Sequence, residues 1–407
     1  MKDPLNILMI THHRRYRTSG RSQVIGRHLV ARGHKVTLMV TADERKFGTV
    51  ESEWDGVRVI EAPDLLWGKL RSGWDPWALL NRTAYLRREK PDYDLVHCFE
   101  TRPTTIHPAL YYARRHDLPL LSDWNDWWRD GIIDVLRPWW YPSVFGEYET
   151  YYEEAFRPAC DGTTAISTAL TRRAEGLGIP AERLYYLPGG TTPGIHLNRA
   201  KEECRSRFGL PLEDPILGFA SADSFLDMEL VLTALPIVIR RFPSAKLILT
   251  GEVRASTLTL ARKNGILDHI VCTGYVPNED LPWWLGCADI FLLPFPNTVY
   301  NVGRWPNKVG LYMSLERPVV ANPYGDIKAL IEDHQVGLAA DVTAEDFAAK
   351  IIFLLENPAV ACQLGRNGRK MAETTYNWET LVCGLEDFYY RILNMEKVSL
   401  GPRKKSR

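Results

Sequence analysis

Short apolar runs alternate with amphipathic stretches along the whole chain, and they do so in two series. The first series reads as strands at NILMI (6–10), KVTLMV (35–40), VRVI (57–60), DLVHC (94–98), LPLLSD (118–123) and GTTAIS (162–167). The second reads as strands at ILGFA (216–220), AKLILT (245–250), HIVCTG (269–274), DIFLLP (289–294) and RPVVAN (317–322). Continuous apolar runs, as opposed to alternating ones, mark strands buried on both faces of a parallel sheet. Helical patterns lie between them. GRSQVIGRHLVARG (20–33) sets Val24, His28 and Ala31 at helical spacing and stops at Gly33. DMELVLTALPIVIRRF (227–242), TAEDFAAKIIFLLEN (343–357) and NWETLVCGLEDFYYRIL (377–393) read the same way.

Strand, glycine-bearing loop, helix and strand make a βαβ unit, and repeated units make a doubly wound α/β sheet. Two Rossmann-like domains are therefore expected, 1–188 and 189–376, hinged near YLPGGTTPG (186–194) and facing each other across a cleft. The helix pattern within 377–395 is expected to pack back on the first domain, and 396–407 forms a basic tail. Open α/β sheets bind ligands outside the carboxyl ends of their strands, so the chemistry is sought there.

Composition narrows this picture without redirecting it. A chain of 407 residues exceeds one ordinary core, and 45% hydrophobic with 25% charged residues is typical of a soluble globular protein. Fifty basic side chains balance fifty acidic ones, so charge gives no reason to expect nucleic acid; PRKKSR (402–407) reads as a solvated tail. The seven cysteines (98, 160, 204, 272, 287, 362, 383) are scattered and never spaced as CxxC, which suits reduced thiols in a cytosol. No apolar leader opens the sequence and no stretch approaches a membrane span, so a cytoplasmic protein is expected, with any membrane contact peripheral and from the inner face. Nine of the thirteen tryptophans fall between Trp54 and Trp140. Such a cluster forms either a rim of half-buried aromatics under long loops or an interfacial belt beside a greasy or sugar-bearing ligand.

Candidate chemistry concentrates in a few places. In RWPNKVGLYMSL, Arg304 and Lys308 flank a helix start with Pro306 at the first helical position and Asn307 in the first turn, and no carboxylate occurs between Asp289 and Glu316. This is an anion-binding helix start or an exposed basic turn. In SDWNDWW (122–128), Asp123 and Asp126 stand at the mouth of a strand, where a carboxylate can orient or deprotonate a hydroxyl, or cap a helix. His97 ends DLVHC, as a cleft residue or a hydrogen-bonded core residue. DYD (92–94) has the spacing of a metal-binding Asp pair but precedes its strand. A GxGxxG fingerprint is absent, which argues against a dehydrogenase.

The pieces GRHLVARGHKVTLMV, PDYDLVHCFETRP, ISTALTRRAEGLGIPAERLYYLPGG, GYVPNEDLPWWLGCADIFLLPF and LERPVVANPYGDIKALIEDHQVGL, in that order, resemble the GT-B glycosyltransferases of the retaining family 4 type. The resemblance covers nearly the whole chain. It implies transfer of a sugar from a nucleoside-diphosphate donor to a sugar-bearing, lipid-linked or small acceptor, with retention, without a metal and with no cofactor beyond the nucleotide sugar. The glycine loop beside the donor phosphates falls on Ser19, Gly20 and Arg21, the diphosphate cations on Arg304 and Lys308, and the base-facing loops on Glu252 and on Tyr275 with Val276. His97, Asp123 and Asp126 fall on the acceptor side.

Two departures accompany it. The glutamate that usually binds the donor ribose falls on Leu311, and the usual Arg/Lys clamp falls on Ser221 and Leu226. Asp223, Glu252 and Asn301 are then the groups left for the ribose. A catalytically silent partner or scaffold of an active transferase is the rival these departures raise. A sugar-nucleotide epimerase or hydrolase would need acids and bases that the carboxylate-poor 290–315 stretch does not supply.

Overall fold

A computed structural model describes residues 3–14, 20–65, 73–89, 92–191, 200–220, 228–277 and 279–398. The chain forms two compact units, Met1–Pro188 with Trp378–Arg407, and Gly189–Asn377.

The first unit is built on an eight-stranded sheet of β1 (Asn6–Arg14), β2 (Lys35–Thr41), β3 (Val50–Trp54), β4 (Val57–Ala62), β5 (Leu95–Phe99), β6 (Leu120–Trp124), β7 (Gly162–Ala165) and β8 (Leu184–Tyr186). Its order is β3-β4-β2-β1-β5-β6-β7-β8, parallel except for the β3–β4 pair. The helix Trp378–Leu393 closes one face, burying Leu381, Val382, Leu385, Phe388 and Tyr389 with strand residues such as Ile7, Met9 and Leu121.

The second unit carries β9 (Ile216–Phe219), β10 (Lys246–Leu249), β11 (Ile270–Cys272), β12 (Ile290–Leu293), β13 (Val319–Ala321) and β14 (Gly337–Ala339), in the all-parallel order β11-β10-β9-β12-β13-β14. The helices Met228–Arg241 and Ala344–Glu356 cover one face through Val231, Leu235, Phe347 and Ile351. No single helix among the described residues is long and apolar enough to cross a membrane.

The apolar runs of both series are strands, and the α/β class holds. Three strands escaped the pattern. VESEW at β3 alternates polar residues because it is an antiparallel edge, turned by Asp55 and Gly56 with positive φ of 49° and 76°. That Asp-Gly pair is a hairpin signal. β8 and β14 span three residues each, too short to show a period. The first helix runs Arg21–Ala31, and its buried residues are Ser22, Gln23, Val24, Ile25, Gly26 and Leu29. Val24 joins the core as read, whereas His28 is half-buried and Ala31 exposed, so the buried face runs from Val24 to Leu29 and misses the other two.

Gly218 shows how tightly the second sheet is filled. A Cβ there would lie 2.6 Å from the Phe291 ring on the neighbouring strand. Gly218→Ala is expected to destabilise the protein by about 1–3 kcal/mol through overpacking, read as a lower urea midpoint at unchanged secondary structure.

Candidate active site

In each sheet the strand order reverses once, between β1 and β5 in the first and between β9 and β12 in the second. The carboxyl ends at those points are where open α/β sheets take ligands.

In the second unit, the loop after β12 leads to the helix Lys308–Ser314. The helix begins two residues later than Pro306 suggested. Asn307 is its N-cap, exposed and without a side-chain cap bond, while Pro306 precedes the cap and accepts the Val309 N–H at 2.9 Å. Buried Trp305 stacks on Tyr376 at 4.8 Å and sits so close to Gly189 that no Cβ would fit there, which seats the loop. Lys308 is half-buried. Its ammonium donates to the Ala220 carbonyl at 2.7 Å and stands 4.2 Å from the Phe219 ring centre, so it lies at the carboxyl end of β9. Arg304 donates to Asn301 Oδ1 at 2.8 Å and lies over the Tyr300 ring at 4.1 Å. The buried Asn301 also donates to the Pro296 carbonyl at 3.0 Å, so both ends of its carboxamide are engaged inside the protein. A ribose would have to displace one of these bonds.

Glu252 and Tyr275 are exposed and Val276 is half-buried, on two loops joined by the Gly251 N–H to the Gly274 carbonyl at 2.9 Å. Leu311 is half-buried. Ser221, Asp223 and Leu226 lie outside the described residues.

In the first unit, Gly20 caps the helix Arg21–Ala31 in extended backbone, φ −64° and ψ 152°. Ser19 lies outside the described residues. Arg21 turns back onto the sheet, donating to both oxygens of Asp123 at 3.0–3.2 Å and to the carbonyls of Leu187 and Pro188. Asp123 is fully buried and also accepts from Thr164 Oγ1. His97 is fully buried too; its Nδ1 faces the Tyr389 hydroxyl at 2.8 Å and its Nε2 the Thr164 hydroxyl at 3.4 Å. Burial pushes this imidazole down to about 4, against a partial lift from Asp123. Both residues are therefore enclosed in a hydrogen-bonded core that has no solvent face in this conformation, while Asp126 is half-buried on the loop beyond β6.

That loop is held by two carboxylates that sequence reading did not single out. Glu100, at positive φ 65° just after β5, accepts the Asn125 N–H at 2.7 Å and the Trp128 indole N–H at 3.0 Å. Glu153 accepts the Trp124 indole at 3.1 Å and the main-chain N–H groups of Trp128 and Arg129 at 3.0 and 3.2 Å. Burial raises the Glu100 carboxyl even with Arg157 and Arg102 beside it. Arg102, Arg157 and Arg173 lie over the rings of Trp128, Trp124 and Trp127 at 4.0, 4.2 and 4.3 Å. Those tryptophans are thus framework. A different aromatic face is open: Leu136, Trp139, Val144, Phe145 and Tyr148 are exposed, Trp139 to 89%.

DYD is structural. Asp94 accepts the Asn6 N–H at 2.7 Å at the amino edge of the sheet, away from the ligand edge. Among the described residues no cluster of three His, Cys, Asp or Glu is placed to hold a metal.

Comparison with known proteins agrees with this architecture. Residues 23–193 match the family described as Glycosyltransferase Family 4, and residues 215–357 the family described as Glycosyl transferases group 1. The GDP-mannose-dependent alpha-(1-6)-phosphatidylinositol monomannoside mannosyltransferase of Mycobacterium tuberculosis is 28% identical over 246 residues, 56% of this chain and 62% of the relative's length. The match therefore leaves over a third of that enzyme unmatched. Among solved structures, sucrose-phosphate synthase of Thermosynechococcus elongatus superposes with a TM-score of 0.71 at 17% identity, covering 95% of this chain and 99% of the other. Anabaena HepE in complex with UDP and glucose gives 0.67 at 14% identity, covering 95% and 99%.

His97 predicts a pH signature. The unfolded chain protonates it near 6.5 and the folded chain only near 4. Between those values the unfolded state binds more protons, so this residue costs stability as pH falls from 6.5 to 4, by up to about 3 kcal/mol, and nothing above that window. His97→Gln should therefore lose less stability than wild type on acidification from pH 7 to 4. Parallel urea titrations with equal slopes would remove the argument.

Proposed function

The chain belongs to the family 4 type of GT-B glycosyltransferases, and from that premise we propose that it transfers a sugar from a nucleoside diphosphate to a sugar-bearing acceptor. The observation that carries the proposal is the Lys308 ammonium held at the end of β9, where the strand order reverses. A departing nucleoside diphosphate gains negative charge, and cations fixed in advance at that place lower the barrier. Lys308 and Arg304 supply this charge, with Asn307, Glu252, Tyr275, Val276, Ser221 and Asp223 as donor contacts. In this scheme no metal or further cofactor takes part. Retention of configuration belongs to the proposal through the family type alone.

Asp126 is the group proposed to meet the acceptor hydroxyl. Asp123 and His97 act as positioning residues, since both are buried and bonded to Arg21, Thr164 and Tyr389. GDP-mannose is the first donor to test, because the mycobacterial relative depends on it. The exposed aromatic face from Leu136 to Tyr148 suits peripheral contact with a membrane that holds a lipid-linked acceptor.

Calorimetry with GDP, UDP, ADP, dTDP and CDP tests the donor side. One of them should bind at micromolar strength, and Lys308→Ala should weaken it by about tenfold or more. If none binds at millimolar concentration, the silent-partner reading takes its place. Sedimentation with phosphatidylcholine–phosphatidylglycerol vesicles tests the membrane side. Trp139→Ala with Val144→Asp should cut bound protein about threefold or more, whereas wild type that stays in solution points to a soluble acceptor.

A further inference from the structure

Lys308 does not reach the end of β9 unaided. The helix Lys308–Ser314 meets Ala220 twice: the Lys308 ammonium donates to its carbonyl at 2.7 Å, and the Tyr312 hydroxyl accepts its N–H at 2.9 Å. Lys308 and Tyr312 are four residues apart and so lie on one helix face. Tyr312 is fully buried. Its ring stacks on Phe291 at 4.1 Å and 4° between planes, and Phe291 in turn fills the space left by the missing side chain of Gly218. Burial raises the Tyr312 phenol, which stays neutral with its hydroxyl intact.

Each link fixes the next. Gly218 admits Phe291, Phe291 fixes the plane of the Tyr312 ring, the phenol holds the Ala220 N–H, and Ala220 turns its carbonyl to the ammonium. We infer that Tyr312 is a positioning residue for the nucleoside-diphosphate site, acting through the Ala220 backbone to hold the Lys308 ammonium where the donor phosphates bind. The inference rests on the proposed donor site. It adds a residue whose hydroxyl is buried and need not touch the ligand. A tyrosine kept only to fill the core would be replaced by phenylalanine without consequence for ligand binding, because the stacked ring is the same. A positioning hydroxyl would not.

The test is a double-mutant cycle read by calorimetry, with GDP, UDP, ADP, dTDP and CDP as probes, on wild type, Tyr312→Phe, Lys308→Ala and the double variant. Tyr312→Phe should weaken the nucleotide that binds by about fivefold, the effect of one hydrogen bond. In the Lys308→Ala background the same change should have no further effect, since the group it positions is gone. Amide exchange at Ala220 supplies a second reading: its protection should fall in Tyr312→Phe while that of β10 and β12 is kept.

Wild-type binding that is equally strong in Tyr312→Phe overturns the inference and leaves the donor site standing. So does an effect that persists undiminished in the Lys308→Ala background, or Ala220 exchange that does not change. Failure of wild type to bind any of the five nucleotides overturns the donor site and the inference together.

Discussion

A charge removed from water must be met by an opposite charge or by several hydrogen bonds, and the carboxyl edge of the first sheet is built around that requirement. Asp123, Glu100, Glu149, Glu153, Arg102 and Arg157 are all at most 3% exposed there. Asp123 has Arg21 and Thr164, Glu100 has Asn125, Trp128 and Arg157, and Glu149 has Arg102 and Tyr141. Removing one member of such a pair strands its partner and costs about 3–5 kcal/mol, so the network acts as a single rigid frame. The left-handed backbone of Glu100 fits this account. A non-glycine residue at φ 65° carries strain, and its carboxylate, bonded to Asn125, Trp128 and Arg157, holds it there.

At the second sheet, Lys308 and Arg304 also meet uncharged groups. Lys308 leans on a carbonyl and a phenyl ring, Arg304 on a carboxamide and a phenol ring. Neutral partners orient a cation without cancelling its charge. A carboxylate in the same place would orient it equally well and weaken its pull on a phosphate. In the sequence, no acid stands beside either cation from 290 to 315. The first edge packs its charges into pairs, while these two cations also lean on uncharged groups.

This contrast explains which parts were legible in the sequence. Apolar runs report burial on both faces of a strand, so the two parallel sheets were readable, whereas the polar edge strand at β3 was not. The cations at Arg304 and Lys308 were visible because the stretch around them holds no acid. Asp123 and His97 looked alike with Asp126 as polar residues near strand ends. Only coordinates separate them, because Arg21 lies 102 residues from Asp123 and Tyr389 lies 292 from His97. Glu100 and Glu153 were passed over for the same reason: their ligands are main-chain N–H groups and indoles, which leave no spacing to recognise. Tyr312 read as one more apolar residue of a short helix, since nothing local marks a hydroxyl that meets a strand 92 residues away.

Leu311 bears on this division of labour. Replacing a ribose-binding glutamate by leucine removes charge-assisted hydrogen bonds worth roughly 1.5–3 kcal/mol, a loss of ten- to a hundredfold in affinity. Such contacts are made alike to the bound donor and to the transition state, so their loss raises KM and leaves kcat in place. The cations stand in another category. Charge builds on the diphosphate only as the glycosidic bond breaks, and in the proposed site Lys308 and Arg304 would act on that change. On this reading the departure at 311 weakens the grip on the donor without removing the groups that make it leave.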